Sequence, residues 1–264
     1  MTAAEPSAPS AAAALPSLVE WVGVGKRVGD RQVLHEVAFS VPRGSISALL
    51  GARGAGKSLL LRLGLGLERC DRGSVVLLGR DPARVSAAER SRLLSRVGVV
   101  FASGALFDDR SVARNVGFVA REVQRRPAGE VARAVRESLL LVGLKQVEHE
   151  RPGALAPGAR QRVALARAIA HRPELLVLDD ATAELDPVGS EAFLSLVAQL
   201  RERLGLTIVA ATRDPRAGFR IADRLAMLHG GRIAAAGTPD EIRRHPDPAL
   251  QQLLAGSAHG PIAP

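Results

Sequence analysis

The chain has 264 residues, of which 47% are hydrophobic, and a formal net charge of +9. That length and apolar share suffice for one α/β domain with a buried core and a smaller appended part. The single cysteine, Cys70, excludes a disulfide within the chain, and no apolar run approaches the roughly 20 residues of a membrane-spanning helix.

The positive charge comes almost entirely from arginine, because Lys26, Lys57 and Lys145 are the only lysines. Such a balance occurs in proteins that bind nucleic acid or an anionic membrane surface. Here the arginines are scattered among acidic residues, and aromatic residues are scarce. A solvated, arginine-rich surface explains the charge equally well, so we expect no specific nucleic-acid partner.

Residues 1–17 are rich in Ala, Pro and Ser without periodicity, which predicts a disordered lead rather than a signal peptide. Short apolar runs then predict strands at 18–22, 33–41, 46–50, 74–78, 97–101, 175–178, 207–211, 224–228 and 232–236. Helical periodicity predicts helices at 59–67, 87–95, 111–122, 127–144, 159–170, 189–204 and 215–221, and Thr238 is expected to cap one more. Strands that alternate with helices indicate a largely parallel, helix-covered sheet.

The stretch with the clearest chemistry fits G-x-x-x-x-G-K-[ST] at every fixed position and comprises Gly51, Ala52, Arg53, Gly54, Ala55, Gly56, Lys57 and Ser58. A predicted strand precedes it and a predicted helix follows. Glycines let backbone N–H groups approach phosphate oxygens, and the positive end of the helix adds to the field. Lys57 is expected to reach the β- and γ-phosphates and Ser58 to ligate Mg²⁺. The alternative is a glycine-rich turn that fits the pattern by chance, which the strand and helix on either side disfavour.

A second signal is the apolar strand 175–178, which runs into Asp179 and Asp180. A carboxylate at the end of a buried strand is what a Mg²⁺–nucleotide site needs opposite the phosphate loop. Buried strands often end in acidic turns, so the pattern gains its meaning from the loop. Together the two signals predict a Mg·ATP site.

The ordered set of motifs resembles the ATP-binding subunits of ABC transporters. It consists of the phosphate loop, Phe101-Ala102-Ser103, the stretch 155–162 (LAPGARQR), the acidic strand end, Leu185-Asp186-Pro187 and Ala211-Thr212-Arg213. The resemblance covers about residues 18–256. Within the family, residues 103–108 and 237–242 look like the Mla/Mce branch, which energises lipid movement between bacterial membranes.

The resemblance implies a P-loop NTPase of the ABC nucleotide-binding type, with a parallel core, an antiparallel N-terminal part and a helical subdomain at about 108–170. Two such subunits, identical or different, would sandwich ATP between one copy's phosphate loop, extended to Leu59, and the other copy's Gly158. Asp179 would join Ser58 at the Mg²⁺, and Asp186 would lie at the dimer contact. Residues Ser103 to Asn115 would face a membrane permease, which would place the chain in the cytoplasm, on the inner face of the membrane. Residues 257–264 are expected to form a flexible tail.

The sequence departs from the family pattern where hydrolysis is carried out. Ala102 stands in place of a glutamine, Asp180 in place of a glutamate, and Arg213 in place of a histidine. Ala156 and Pro157 stand in the signature in place of serine and glycine, so a hydroxyl and a backbone N–H are missing. Removing one transition-state contact usually costs about 10²–10³ in rate. We therefore interpret Asp180 and Arg213 as candidate catalytic residues that replace the family's glutamate and histidine, and we expect hydrolysis to be slow or absent.

Three functions follow from these patterns. The first is a transporter subunit that binds Mg·ATP and hydrolyses it slowly. The second is a pseudo-ATPase that responds to ATP as a structural or regulatory module, and the third, suggested only by charge, is an ABC protein acting on nucleic acid. The family's nucleotide-stacking aromatic falls at Lys26 or Val28, and Trp21 is more simply a packed strand residue. The six histidines show no metal-ligand spacing with Cys70, and His149 and His171 are expected to be solvated loop residues.

Overall fold

The computed structural model describes residues 16–262, which form two β-sheets with helices packed on them. In chain order the strands are β1 (Ser17–Val28), β2 (Arg31–Pro42), β3 (Ile46–Leu50), β4 (Arg72–Leu77), β5 (Val97–Phe101), β6 (Leu175–Asp179), β7 (Thr207–Thr212), β8 (Arg224–His229) and β9 (Arg232–Gly237). The α-helices are α1 (Lys57–Gly64), α2 (Ala87–Leu94), α3 (Val112–Val116), α4 (Ala128–Leu141), α5 (Pro157–Ile169), α6 (Pro187–Leu204), α7 (Pro215–Ile221), α8 (Pro239–Arg244) and α9 (Pro248–Ala255). The predicted disordered lead lies outside the described residues except for its last two positions, and Ser17 already begins β1.

The larger sheet has six strands in the order β5-β6-β7-β3-β8-β9, and its neighbours are parallel except for the antiparallel β8–β9 pair. The other three strands form an antiparallel sheet in the order β2-β1-β4. Every residue of β3 and β7 is buried, as expected for strands covered on both faces. The predicted parallel core with an antiparallel N-terminal part is therefore confirmed.

The register of the larger sheet brings four strand ends to one edge. Leu50, the last residue of β3, pairs with Thr212 of β7, and Asp179 at the end of β6 pairs with Ala211 on the other side of β7. Phe101 at the end of β5 pairs with Asp179 in turn. Open α/β sheets bind ligands outside the carboxyl ends of their strands. The fold thus gathers the loops that follow residues 50, 101, 179 and 212 beside one another.

Two hydrophobic clusters hold the layers together, one on each face of the larger sheet. In the cluster toward the antiparallel sheet, the buried Trp21 donates its Nε1–H to the carbonyl oxygen of Leu60 (2.9 Å) and stacks on Phe39. This confirms Trp21 as a packed strand residue. On the opposite face α5 lies directly on β5, because a Cβ at Gly98 would collide with the carbonyl oxygen of Ala168. The last helix of the predicted helical subdomain therefore covers the parallel sheet.

Three details differ from the sequence prediction. The single helix expected at 111–122 is wrong, because α3 ends at Val116 and a π-helix (Val119–Val123) follows. Gly117 separates the two and packs so tightly that a Cβ there would lie 2.8 Å from Cγ1 of Val131. Helix α9 was not predicted, and Gln252 within it bonds the backbone of Ile262, which anchors the described part of the expected flexible tail.

Among the described residues, no helix has both the length and the apolar character needed to cross a bilayer.

The expectation that His171 is a solvated loop residue is wrong. The side chain follows α5, is 4% exposed, and places its Nε2 3.2 Å from the carbonyl oxygen of Val97. Burial lowers the pKa of His171 below its ordinary value, because a charged ring would lose its hydration there. His149, in contrast, is exposed as expected.

The buried His171 predicts a pH dependence of stability. Because its pKa is lowered in the folded state, the unfolded chain binds this proton more readily, and the free energy of unfolding falls as pH drops below about 6.5. In His171→Gln, thermal unfolding between about pH 7 and pH 5 should show a shallower loss of Tm than in the unmodified protein. The exposed His149→Gln is the matched control. An identical pH slope in His171→Gln and the unmodified protein would contradict this account.

Candidate functional site

The loop between β3 and α1 has a shape that favours glycine at positions 51, 54 and 56. Gly54 and Gly56 have φ angles of 78° and 102°, in the left-handed region. A Cβ at Gly51 would lie 2.6 Å from the carbonyl oxygen of Leu228. Gly56 forms the N-cap of α1 without a side-chain cap, so the first amides of the helix are left for a ligand. The loop and helix start therefore have the backbone geometry of an anion-binding site.

Lys57 is folded into this loop rather than extended into solvent. The residue is 5% exposed, and its Nζ donates to the carbonyl oxygens of Gly51 (2.7 Å) and Ala52 (3.1 Å). Burial lowers the pKa of Lys57, whereas the nearby Asp180 and Asp179 act in the opposite direction. A buried ammonium gains most from a ligand with dense negative charge. A phosphate group is such a ligand.

Ser58 and Asp179 meet across the cleft between α1 and the end of β6. The Ser58 hydroxyl donates to Oδ1 of Asp179 at 2.8 Å. Burial raises the pKa of Asp179, and the hydrogen bond from Ser58 partly offsets this effect. Mg²⁺ is usually held by one or two protein oxygens together with substrate phosphates and water. A hydroxyl beside a carboxylate fits that requirement. Residues 16–262 contain no cluster of three or more His, Cys, Asp or Glu side chains that could hold a metal ion without such a substrate.

Asp180 and Arg213, the two candidate catalytic residues, lie next to each other. Oδ1 of Asp180 accepts a hydrogen bond from the backbone amide of Arg213 at 3.1 Å. Both residues line a cavity of about 530 Å³ between β6, β7 and the starts of α6 and α7. Asp186 caps α6 by accepting a hydrogen bond from the Gly189 amide (2.7 Å). The predicted loop, metal and acidic residues are thus brought together at one sheet edge.

The residues of the signature stretch and the position of the nucleotide-stacking aromatic lie elsewhere. Ala156 caps α5 without a side-chain hydrogen bond, and Pro157 is its first residue. A Cβ added at Gly158 would meet no atom within 4 Å, and no hydrogen bond among residues 16–262 joins Gly158 to the phosphate loop. At the N-terminal sheet Lys26 pairs with Asp71 (3.0 Å), and Val28 is 54% exposed. The contact of Gly158 with ATP across a subunit interface stays a prediction.

Sequence reasoning missed two side chains of α5 that organise the neighbouring loops. Gln161 is 3% exposed, and its Nε2 donates to the carbonyl oxygens of Phe101 (2.9 Å) and Ala181 (2.6 Å). Arg167 donates to the carbonyl oxygens of Gly104 (2.8 Å) and Ala105 (2.6 Å). The available signal was a glutamine on the apolar stripe of a predicted helix, where an unpaired amide would be costly.

The segment Ser103 to Asn115 consists of the loop after β5 and the first residues of α3. The fully buried Asn115 accepts a hydrogen bond from the amide of Phe107 (2.8 Å) and donates to the carbonyl oxygens of Phe107, Arg110 and Ser111. The guanidinium of Arg110 lies 4.6 Å from the ring centroid of Phe107, which in turn contacts Phe118. The loop presents a partly exposed aromatic and arginine cluster to solvent.

Comparison with known proteins agrees with this geometry. The sequence profile of the ABC transporter family matches residues 34–183. The methionine import ATP-binding protein MetN of Caulobacter vibrioides is 38% identical over 234 residues, which cover 89% of this chain and 70% of that protein. The Fe(3+) ions import ATP-binding protein FbpC of Streptomyces coelicolor is 41% identical over 241 residues, covering 91% of this chain and 68% of that protein.

Solved structures lead to the same family. One is the structure of cbiO1 from Clostridium perfringens, part of the ABC transporter complex cbiONQ, with a TM-score of 0.79 and 26% sequence identity. The match covers 86% of this chain and 90% of the cbiO1 chain. A dimeric bacterial ABC transporter cassette has a TM-score of 0.75 at 24% identity, which shows the fold alone. The profile match spans more than half of this chain, and the chain covers more than two thirds of the first two relatives. The chain therefore belongs to the ABC transporter family, as an ATP-binding subunit.

Proposed function

We propose that this chain binds Mg·ATP at Gly51–Ser58, hydrolyses it slowly, and uses the bound nucleotide to drive or gate a membrane permease. The observation that carries the proposal is the Ser58–Asp179 hydrogen bond of 2.8 Å beside the buried Lys57. It places a hydroxyl, a carboxylate and an ammonium around one anion-binding loop. These are the groups that a nucleotide triphosphate with its Mg²⁺ requires.

The side chains of Lys57 and Ser58 and the backbone amides of the loop would have different tasks in binding. Lys57 would exchange the carbonyl oxygens of Gly51 and Ala52 for phosphate oxygens, and the amides of 52–59 would donate to the α- and β-phosphates. Ser58 and Asp179 would hold Mg²⁺, which, when bound, neutralises charge on the β- and γ-phosphates. Gly158 of a second subunit would close the site from the other side.

Slow hydrolysis follows from groups that are missing around the same site. Ala102 offers no oxygen after β5, Ala156 has no hydroxyl, and Pro157 has no amide to donate. Arg213 has no acceptor atom where the family resemblance places a histidine. We therefore expect the chain to keep its ATP binding although its hydrolysis of ATP is slow. A complete loss of hydrolysis, which would make the chain an ATP-gated pseudo-ATPase, is the second candidate that these same residues favour.

The membrane partner would contact Ser103 to Asn115. Exposed aromatic and arginine side chains are enriched among residues that dominate binding energy, and Phe107 and Arg110 form such a pair. The chain would then act as a homodimer or heterodimer on the cytoplasmic face of a membrane, attached through its permease. The helix and loop that carry this pair are held by Asn115, so little ordering is needed on binding.

Two observations point to different cargo. The relatives named above import methionine and ferric ions, whereas residues 103–108 and 237–242 resemble the Mla/Mce lipid-transport branch. We keep lipid movement as the finer hypothesis. It is tested by reconstituting the chain with its permease in proteoliposomes and following ATP-dependent transfer of a labelled phospholipid. Uptake of a small solute without lipid transfer would overturn it.

The metal pair gives a direct test of the nucleotide site. In Asp179→Asn the carboxylate is lost, so the gain in ATP affinity on adding Mg²⁺ should fall by about tenfold or more. Isothermal titration with and without Mg²⁺ measures this gain. Asp240→Asn, which changes an exposed carboxylate paired with Arg243, is the control and should keep it. An unchanged Mg²⁺ gain in Asp179→Asn would remove this pair from the proposed site.

A further inference from the structure

A second cavity, of about 560 Å³, lies between α3, the π-helix, α4 and the loop that follows α4. Small-molecule sites usually measure about 300–1,000 Å³ and combine an apolar lining with a few polar groups. This cavity is lined by alanine and valine side chains of α3 and α4 and by three arginines, Arg121, Arg126 and Arg136. We call it the arginine cavity. None of its lining residues belongs to the predicted nucleotide site.

Backbone hydrogen bonds fix the walls of the arginine cavity. The amide of Ala113 donates to the carbonyl oxygen of Glu148 (2.9 Å), which joins α3 to the loop after α4. The amide of Arg126 donates to the carbonyl oxygen of Ala120 (3.0 Å), which turns the chain back at the end of the π-helix. Arg125 makes this turn with a φ of 51°, in the left-handed region. Because the walls are already ordered, a ligand would need to order little of the chain on binding.

The guanidinium of Arg121 lies on the apolar floor of the arginine cavity. A Cβ added at Gly117 would lie 3.0 Å from Nη2 of Arg121. The same Cβ would lie 2.8 Å from Cγ1 of Val131 and 3.1 Å from Cγ2 of Val135. The charged group and the two buried valines therefore surround one point. Such a place suits a ligand that has both an acidic group and an apolar part.

The positive charge of the arginine cavity has no carboxylate partner in the part of the chain that the structure describes. Within residues 16–262 its three guanidinium groups form no ion pair, although Glu148 also lines the cavity. Arg121 and Arg126 are nevertheless half-buried, whereas the half-buried Arg201 is paired with Asp223 (3.1 Å). A partly buried charge is costly unless it is paired, so an anionic ligand would supply the missing partner.

We propose that the arginine cavity binds a small amphipathic anion, whose acidic head group pairs with the arginines and whose apolar body lies on Val131 and Val135. A guanidinium forms two parallel hydrogen bonds with a carboxylate or a phosphate, so several of them around one cavity select such a head group. A free fatty acid and an anionic lipid of a bilayer share this chemistry. The free molecule fits better, because the apolar floor and the arginines lie in the same cavity, whereas the chains of a lipid stay in the bilayer.

Titration calorimetry with octanoate tests the arginine cavity without nucleotide. Octanoate has a carboxylate and an alkyl chain, acetate has the carboxylate alone, and octanol has the chain without the charge. We expect saturable binding of octanoate and at least about tenfold weaker binding of acetate and of octanol. Equal binding of acetate would contradict the role of the apolar floor, and equal binding of octanol that of the arginines. Binding to phosphatidylglycerol vesicles without binding of octanoate would overturn the proposal of a free ligand.

Two variants assign octanoate to this cavity. Arg126→Gln should weaken its binding by about tenfold or more, because the amide carries no charge. Ala132→Trp fills the cavity from an exposed position of α4 without changing its charge and should weaken binding as much, so the test does not depend on the folding of an arginine variant. Arg133→Gln, which changes an exposed arginine of α4 outside the lining, is the matched control. Unchanged affinity in Arg126→Gln and Ala132→Trp would overturn the proposal.

Lys57→Ala separates this site from the nucleotide site. The variant should bind octanoate as tightly as the unmodified protein, because Lys57 does not line the arginine cavity. Loss of octanoate binding in Lys57→Ala would place the carboxylate in the phosphate loop and overturn the proposal. If the unmodified protein binds octanoate but no ATP, the proposed function fails while the arginine cavity stands.

Discussion

Restoring three lost groups is expected to raise single-turnover phosphate release by about 10²-fold or more. The variant combines Ala102→Gln, Ala156→Ser and Pro157→Gly. It returns an oxygen donor after β5, a hydroxyl before α5 and an amide at the start of α5. Each group acts on the reacting phosphate or its water in the family arrangement, so the gain should appear in the rate of release rather than in ATP affinity.

Rapid-quench measurement of released phosphate at saturating Mg·ATP provides the comparison. The same three changes combined with Lys57→Ala form the control and should abolish the gain, which excludes a contaminating ATPase. A restored variant that binds ATP but releases phosphate no faster than the unmodified protein would refute the idea that these positions limit hydrolysis. It would support the pseudo-ATPase alternative.

Lys57→Ala is expected to weaken Mg·ATP binding by about 10²-fold. The ammonium is buried against two carbonyl oxygens of the loop. A phosphate would therefore accept a charge-assisted hydrogen bond from it, and the phosphate charge would offset the lost hydration of the ammonium. Lys145→Ala removes an exposed lysine of the helical region and should bind as tightly as the unmodified protein. Equal affinities in the two variants would show that nucleotide does not enter this loop.

Much of the fold could be predicted because its signals are local. The parallel strands are continuous apolar runs in the sequence, and the loop glycines mark the turn that is predicted to bind phosphate. Thr238 was predicted to cap a helix. It is the N-cap of α8, and its side chain accepts a hydrogen bond from the amide of Glu241. The sequence alone is sufficient to predict an element when residues within that element determine its turn, cap or buried face.

The failures come from contacts distant in the sequence. A side chain does not fit at Gly117, where α3 has ended, because Val131 occupies the space, and nothing in the local periodicity indicates that contact. His171 was expected to be solvated because it follows a helix. Its Nε2 instead lies 3.2 Å from the carbonyl oxygen of Val97, which is 74 positions earlier in the chain. The role of Gln161 depends on two loops that meet only after folding. Helix α9 was overlooked, although Asp247 and Pro248 are a clear start signal.

The measurement that tests the central claim most directly is an Mg·ATP titration of the unmodified protein, followed by phosphate release from the saturated complex. We predict saturable, Mg²⁺-dependent binding and a phosphate release at least about 10²-fold slower than that of the restored variant. Absence of binding would contradict the assignment of Gly51–Ser58 as a nucleotide site. Rapid release from the unmodified protein would contradict the conclusion that its hydrolysis is impaired.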